Sequence, residues 1–152
     1  MPASDLAPLH LLAPHARHDA ELVAGESGEG VGGVVWNVLG HTYWLKAECE
    51  SCFIFGTLDP PGTFVPPHIH PDQDEYLYLL EGKLDFFLDG AEEFATAGDT
   101  VRLPMGKPHG IFNKSQQTAK TLFWVSPTRR LYDLFWGIHN MREQTPDAVV
   151  AL

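Results

Sequence analysis

Four residues of metal-binding type lie at spacings that can bring them together around one ion. His68 and His70 are two apart in a predicted strand, so both side chains project from the same face, about 6.5 to 7 Å apart along the backbone. Glu75 is the first residue of the next predicted strand. It is separated by even numbers of residues from Leu77 and Leu79, so its side chain is expected on the same inward face as theirs. His109 comes directly after a Pro/Gly-rich turn at 104–108, which can return the chain toward the first two histidines.

Three imidazoles and one carboxylate form a mixed nitrogen and oxygen site that suits Fe, Mn, Ni, Cu or Zn, and the ligand types alone do not choose among them. A lone histidine is more often an ordinary core or surface residue. Burying all four groups in a small β interior is costly unless something pairs them, which favours a metal ion. The bound ion would leave a small net positive charge that favours an enolate, phenolate or carboxylate ligand.

Glu75 is also the candidate catalytic residue, because it is the only anionic member of the set and can accept a substrate proton. Asp72 and Asp74 lie close by and are the alternatives for its ligand position. The alternation of side chains along the strand favours Glu75 as the carboxylate ligand.

The elements that must position these residues are short β-strands. From residue 34 onward, β-branched and aromatic runs alternate with Gly, Pro and Asp at close spacing, which predicts an all-β antiparallel sandwich or barrel. No space is left for crossover helices, so a parallel sheet is not expected. The predicted strands are 34–38, 42–46, 52–58, 67–70, 75–80, 83–88, 92–96, 100–103, 110–113 and 120–125.

One helix is predicted near the C-terminus, capped by Ser126 with Pro127 at its first position. Its apolar stripe must dock on the β body and consists of Leu131, Leu134, Phe135 and Ile138. Residues 1–32 are interpreted as an N-terminal arm, 33–140 as the β-barrel domain with its helix, and 141–152 as a C-terminal tail.

Composition excludes several function classes. Lys+Arg 10 against Asp+Glu 20 gives a formal charge of −10, so nucleic acid and anionic membrane surfaces are not expected partners. No apolar run is long enough for a membrane span and the first residues do not resemble a secretion signal, so we expect a cytoplasmic protein. Cys49 and Cys52 are interpreted as ordinary thiols rather than a zinc or redox site, since residues three apart on a strand face opposite sides.

Two segments resemble the two motifs of the cupin superfamily at all ten signature positions. They read Gly62-x5-His68-x-His70-x4-Glu75-x6-Gly82 and Gly98-x5-Pro104-x-Gly106-x2-His109-x3-Asn113. The resemblance covers about residues 34–137 and implies a jelly-roll β-barrel. It also implies that His68, His70, Glu75 and His109 hold one divalent metal inside the barrel.

Within that superfamily the sequence around these motifs is most similar to single-domain quercetin 2,3-dioxygenase-like proteins. The resemblance implies oxidative cleavage of an enol, diketone or flavonol-type substrate with O2 as co-substrate. The alternatives are a non-redox metal-dependent isomerase or lyase and a small-molecule-binding protein without turnover, because fold and ligands do not fix function. The expected pocket walls are Phe55, Leu77, Leu79, Leu84, Phe86 and Phe112.

A homodimer is the expected assembly. The strand 75–80 is apolar on both faces, so its outer face requires a cover, either another sheet or a second subunit. The resemblance to the family also implies a dimer, because similar members are commonly dimeric.

Overall fold

A computed structural model describes residues 30–150 of the chain, and most of the N-terminal arm expected at 1–32 lies outside this range. The described part contains ten strands, two short helices and one 3-10 turn at Val31–Gly33. The elements are β1 (Val35–Val38), β2 (His41–Glu48), β3 (Phe53–Asp59), β4 (Phe64–His68), β5 (Asp74–Glu81), β6 (Lys83–Leu88), β7 (Ala91–Thr96), β8 (Thr100–Leu103), β9 (His109–Phe112), β10 (Ala119–Ser126), α1 (Leu131–His139) and α2 (Pro146–Val150).

The strands form two antiparallel sheets that enclose one core. The first has six strands in the order β1-β2-β3-β10-β5-β8, and the second has four in the order β4-β9-β6-β7. This arrangement confirms the predicted all-β jelly-roll with a C-terminal helix. All ten predicted strands are present, with bounds that differ by at most three residues.

Alternation along the strands decides which side chains enter the barrel. In β5 Glu75, Leu77 and Leu79 are buried, whereas Tyr78 and Leu80 on the opposite face are exposed. The predicted inward parity of Glu75 is therefore confirmed. The hairpin between β6 and β7 turns at Asp89–Gly90, where both residues have positive φ, as the tight turn of a two-residue hairpin requires.

The C-terminal helix begins later than predicted. Ser126 is the last residue of β10, paired with Asp74 of β5, so it is not a helix cap, and α1 starts at Leu131. The prediction of Pro127 as the first helical residue is also wrong, because residues 127–130 form the connection between β10 and α1. The predicted stripe is largely confirmed, since Leu131, Phe135 and Ile138 are buried in α1, although Leu134 is 37% exposed.

Helix α1 packs on the aromatic interior of the six-stranded sheet. Phe135 lies edge-on against Phe55 and Tyr43, with ring centroids 5.0 and 5.2 Å apart, and against Trp36 at 5.3 Å. The segment expected to be a tail also contacts the barrel, because the Gln144 side chain bonds the backbone of β1 and the β1–β2 turn. Within residues 30–150 no helix is long and apolar enough to cross a membrane.

Candidate metal centre

The first two histidines meet at the end of β4. The expectation that both lie on one strand is wrong, because β4 ends at His68 and His70 lies in the turn that follows. Pro66 and Pro67 lack N–H donors, and the β4–β9 register is interrupted between Val65 and His68. The two imidazoles nevertheless converge, with their Nε2 atoms 3.1 Å apart.

Glu75 and His109 approach the same point from β5 and β9. His109 is the first residue of β9 and pairs with His68 across the sheet. The Glu75 Oε2 atom lies 3.1 Å from His70 Nε2 and 3.2 Å from His109 Nε2. One ligand atom from each of the four residues lies within 4.8 Å of the others. The structure therefore brings together all four residues that the sequence selected.

Each imidazole is oriented by an oxygen behind it. His68 Nδ1 lies 2.8 Å from the Pro66 carbonyl oxygen, and His109 Nδ1 lies 3.3 Å from that of Lys107. His70 Nδ1 lies 2.9 Å from Gln73 Oε1. Because these oxygens only accept, each Nδ1 carries the proton and each Nε2 presents a lone pair to the centre.

Three Nε2 lone pairs and a carboxylate oxygen thus face one another, and His109 Nε2 and Glu75 Oε2 are buried without a hydrogen-bond partner of suitable geometry. Neutral imidazoles with Nε2 lone pairs cannot donate to Glu75, so a cation is the group that satisfies all four acceptors. The donor set fits a divalent transition metal. Protons compete with such an ion for the same atoms.

Electrostatics keeps the carboxylate ionised. Burial raises the pKa of Glu75, but when protons rather than a metal ion occupy the Nε2 atoms of His109 and His70, these imidazoles donate to the carboxylate and hold its pKa far below the usual range. Burial lowers the pKa of His68. At His70 burial also lowers the pKa, but the bonds to Glu75 and Gln73 exceed it, and the net shift is upward.

The other acidic residues near the motif do not enter the centre. Asp74 accepts hydrogen bonds from Arg102 and from the Met105 backbone on the outside of the sheet. Asp72 pairs with Arg129 at the surface. The alternative in which one of these acids replaces Glu75 is therefore wrong in this geometry.

Gln73 was not selected from the sequence, yet it connects the centre to the rest of the fold. It is 7% exposed, and its Nε2 donates to the carbonyl oxygens of Pro127 and Thr128 at 2.9 and 3.0 Å. Its Oε1 accepts from His70. The amide thereby fixes one candidate metal ligand to the segment that leads into α1. A polar residue three positions after a histidine was the only sequence signal for it.

An apolar cavity of about 230 Å³ opens beside the four-residue cluster. Helix α1 and α2 close it on one side and strands of both sheets on the other. Its lining comprises His68, His70 and Glu75 together with Val38, Leu39, Tyr43, Phe55, Val65, Pro66, Ile111, Phe123, Leu131, Leu134, Phe135, Ile138 and Val149.

Of the six residues expected to form pocket walls, only Phe55 lines this cavity. Four others are packed into the solid core, at 0 to 3% exposure, and Phe112 stacks on Phe64 with ring centroids 6.3 Å apart. The buried four are Leu77, Leu79, Leu84 and Phe86. Inward parity identified core residues, but it did not show which part of the interior stays open.

Tyr43 is the polar lining residue that the sequence analysis missed. Apart from the cluster itself, it is the only polar side chain among the described residues that line the cavity. Burial, with Asp59 and Glu75 nearby, raises the pKa of its hydroxyl well above the usual value. Tyr43 therefore stays neutral and can donate a hydrogen bond.

Comparison with known proteins agrees with this geometry. Residues 57–125, which include all four clustered residues, match the family model described as Cupin domain. This part of the chain is similar to a cupin domain. A solved RmlC-like cupin from Shewanella frigidimarina NCIMB 400 superimposes with a TM-score of 0.61 at 18% identity, over 72% of this chain and 98% of that one, which shows the shared fold.

Two curated relatives add detail. The tetracenomycin polyketide synthase protein TcmJ of Streptomyces glaucescens is 36% identical over 67 residues, 44% of this chain and 45% of that protein. Quercetin 2,3-dioxygenase of Bacillus subtilis (strain 168) is 30% identical over 88 residues, 57% of this chain and 26% of that protein. The matches thus span less than half the length of these relatives, and the cupin-like domain resembles quercetinase-like cupins.

Proposed function

We propose that the cupin-like domain holds one divalent metal through His68, His70, Glu75 and His109 and acts as a dioxygenase. The proposed substrate is a small enol, diketone or flavonol-type molecule, with O2 as the second substrate. The observation that carries this proposal is the convergence of four acceptor atoms beside an otherwise apolar cavity, which three of the four residues line. The similarity to a quercetin 2,3-dioxygenase supports the choice of substrate class.

A bound redox-active ion supplies positive charge for a substrate oxyanion and one-electron chemistry for O2. The protein's own residues do the rest. The Glu75 carboxylate is buried and lines the cavity, and we assign one of its Oε atoms as the acceptor of the enol proton. The carbonyls behind His68 and His109 and the amide behind His70 hold the three imidazoles in the orientation that leaves Nε2 free.

The cavity restricts the substrate by size and polarity. Its walls exclude water and suit a planar apolar body, and the neutral Tyr43 hydroxyl offers a hydrogen bond to a carbonyl oxygen. About 230 Å³ lies at the small end of ligand pockets, which favours a diketone or a one- to two-ring enol over a larger flavonol. Among the described lining residues there is no Lys or Arg, so a sugar phosphate is a poor fit.

The test is O2 consumption by the purified protein loaded separately with Fe²⁺, Mn²⁺, Ni²⁺, Cu²⁺ or Zn²⁺. Pentane-2,4-dione, a bicyclic enol and a flavonol serve as substrates, and metal-stripped protein is the control. We expect substrate loss with matching O2 uptake for at least one redox-active ion. Binding of these compounds without conversion by any loaded form would contradict the proposal and favour a binding protein.

A non-redox isomerase or lyase is the second candidate, because a cation held by the same four residues could stabilise an enolate without O2. It uses the same centre to stabilise an enolate, with Glu75 moving the proton. Substrate conversion at an equal rate under anaerobic conditions, and with Zn²⁺ as well as with redox-active ions, would select this candidate.

A further inference from the structure

Cys49 and Cys52 lie opposite each other across a tight turn between β2 and β3. Glu48 pairs with Phe53, and the next rung is closed by the Cys49 N–H, which donates to the Cys52 carbonyl oxygen at 3.0 Å. Only Glu50 and Ser51 separate the two cysteines. The two cysteines do not lie on one strand but between β2 and β3, so the argument that their side chains face opposite sides does not apply to them.

The hydrogen bond between Cys49 and Cys52 is compatible with a disulfide between them. Cα atoms of a hydrogen-bonded antiparallel pair are about 5.5 Å apart. A disulfide accepts Cα separations of roughly 4.4 to 6.8 Å, a range that includes this value. Both thiols are free, Cys49 is exposed and Cys52 is half-buried.

The two thiols differ in reactivity. Cys49 Sγ lies 3.3 Å from Ser51 Oγ, and this hydroxyl, with backbone hydrogen bonds, lowers the pKa of Cys49. Burial raises the pKa of Cys52. Cys49 is therefore the thiol that reacts first with an oxidant, and Cys52 is positioned to resolve the product.

We propose that Cys49 and Cys52 form an oxidation site at which a peroxide closes a reversible disulfide. The Cys49 thiolate attacks one peroxide oxygen, the O–O bond breaks and Cys49 becomes a sulfenic acid, while the leaving oxygen is released as water. The Cys52 sulfur then attacks Cys49 Sγ and a second water leaves. Two thiols lose two electrons in total, which reduce one peroxide to two waters. A thiol reductant such as glutathione restores the dithiol.

The turn that carries the thiols is bonded to the segment that orients the metal centre. Ser126 Oγ donates to the Ser51 carbonyl oxygen at 2.8 Å, the Thr128 N–H donates to that of Glu50 at 3.2 Å, and Thr128 Oγ1 donates to that of Cys49. On its other side the same segment accepts both hydrogen bonds of the Gln73 amide.

Gln73 in turn holds His70, so one chain of hydrogen bonds connects the thiols to a candidate metal ligand. Disulfide closure reorients the carbonyls of the turn, and we expect metal affinity to fall by several-fold. This second part rests on the proposed function, whereas the oxidation site does not.

Intact-mass measurement of peroxide-treated protein tests the oxidation site. We expect the full-length protein to lose two hydrogen atoms, and a reducing agent to reverse the change. The Cys52→Ser variant should instead accumulate a sulfenic acid on Cys49 that reacts with dimedone, whereas Cys49→Ser should not. An unchanged mass, or disulfide-linked pairs of chains on a non-reducing gel, would overturn the proposal.

Titration with Co²⁺ tests the connection to the metal centre. Reduced and oxidised parent protein are compared with the Cys49→Ser/Cys52→Ser double variant, which peroxide should not affect. Equal Co²⁺ affinity in the reduced and oxidised parent refutes the connection while leaving the disulfide in place. Absence of Co²⁺ binding in both forms contradicts the proposed function instead, so the two failures are distinguishable.

Discussion

Replacing Gln73 with alanine should weaken metal binding without touching any of the four candidate ligands. The side chain makes three hydrogen bonds, one from His70 Nδ1 and two to the carbonyl oxygens of Pro127 and Thr128. Removal leaves all three partners unsatisfied in a buried place. At roughly 1 kcal/mol for each net hydrogen bond, the free energy of unfolding should fall by about 2 to 4 kcal/mol.

The effect on the metal is a separate quantity. Groups that orient a metal-binding histidine typically contribute about 10- to 100-fold in affinity. Without Gln73 Oε1 the His70 ring loses its fixed tautomer and orientation, so we expect Co²⁺ affinity to fall within that range. Affinity is measured at a temperature where the variant is fully folded, so that loss of stability does not contribute.

Asp72→Ala is the matched control for Gln73→Ala. Asp72 is the preceding residue, but its carboxylate pairs with Arg129 in an exposed ion pair, 3.1 Å apart. Such pairs contribute about 0 to 1 kcal/mol, and none of the metal ligands contacts this one. Co²⁺ affinity should therefore match the parent. The reasoning is refuted if Gln73→Ala binds Co²⁺ as tightly as the parent, or if both variants lose affinity equally.

Three further predictions concern the ligands and the assembly. His109→Ala should lose stoichiometric metal, and stripping metal from the parent should lower its melting temperature, as calorimetry of both forms would show. Glu75→Gln should retain more metal than Glu75→Ala yet lose about 10²- to 10⁴-fold in turnover per bound metal; equal turnover would leave Glu75 as a ligand only. The exposed Tyr78 and Leu80 on the outer face of β5 should form part of a homodimer interface, so light scattering should show twice the 16.9 kDa chain mass and Leu80→Lys should weaken the pair. A monomer at high concentration would contradict this prediction.

The fold and the ligand cluster could be predicted because both depend on short-range patterns. Side chains alternate between the two faces of a strand, so Glu75 must share the buried face of β5 with Leu77 and Leu79. The turns at Asp89–Gly90 and around Gly106 determine where the chain reverses direction. Even where the detail was wrong, with His70 beyond the end of β4, the spacing still kept the two imidazoles within reach of one ion.

The cavity could not be predicted in the same way, because it depends on where distant segments dock. The alternation of side chains predicts that Leu77 and Leu84 face the interior. It does not predict that this part of the interior is filled, so that neither residue lines a cavity. The open part of the interior lies where Phe135 and Val149 close over Tyr43. Those contacts join residues about a hundred positions apart, and no local pattern encodes them.

The segment 126–130 explains why the metal centre and the cavity cannot vary independently. Its carbonyls hold Gln73, which orients His70, and its last residue leads directly into Leu131 of α1, which lines the cavity. A bound small molecule that displaces α1 should therefore also move the 126–130 backbone, which orients His70 through Gln73. Since Gln73 has no other bonded partner outside the centre among the described residues, this segment is the only hydrogen-bonded route by which it can be displaced. Substrate size and metal affinity should consequently change together in variants of α1, and separately in variants of a wall residue on a strand that carries no candidate ligand, such as Val38 of β1.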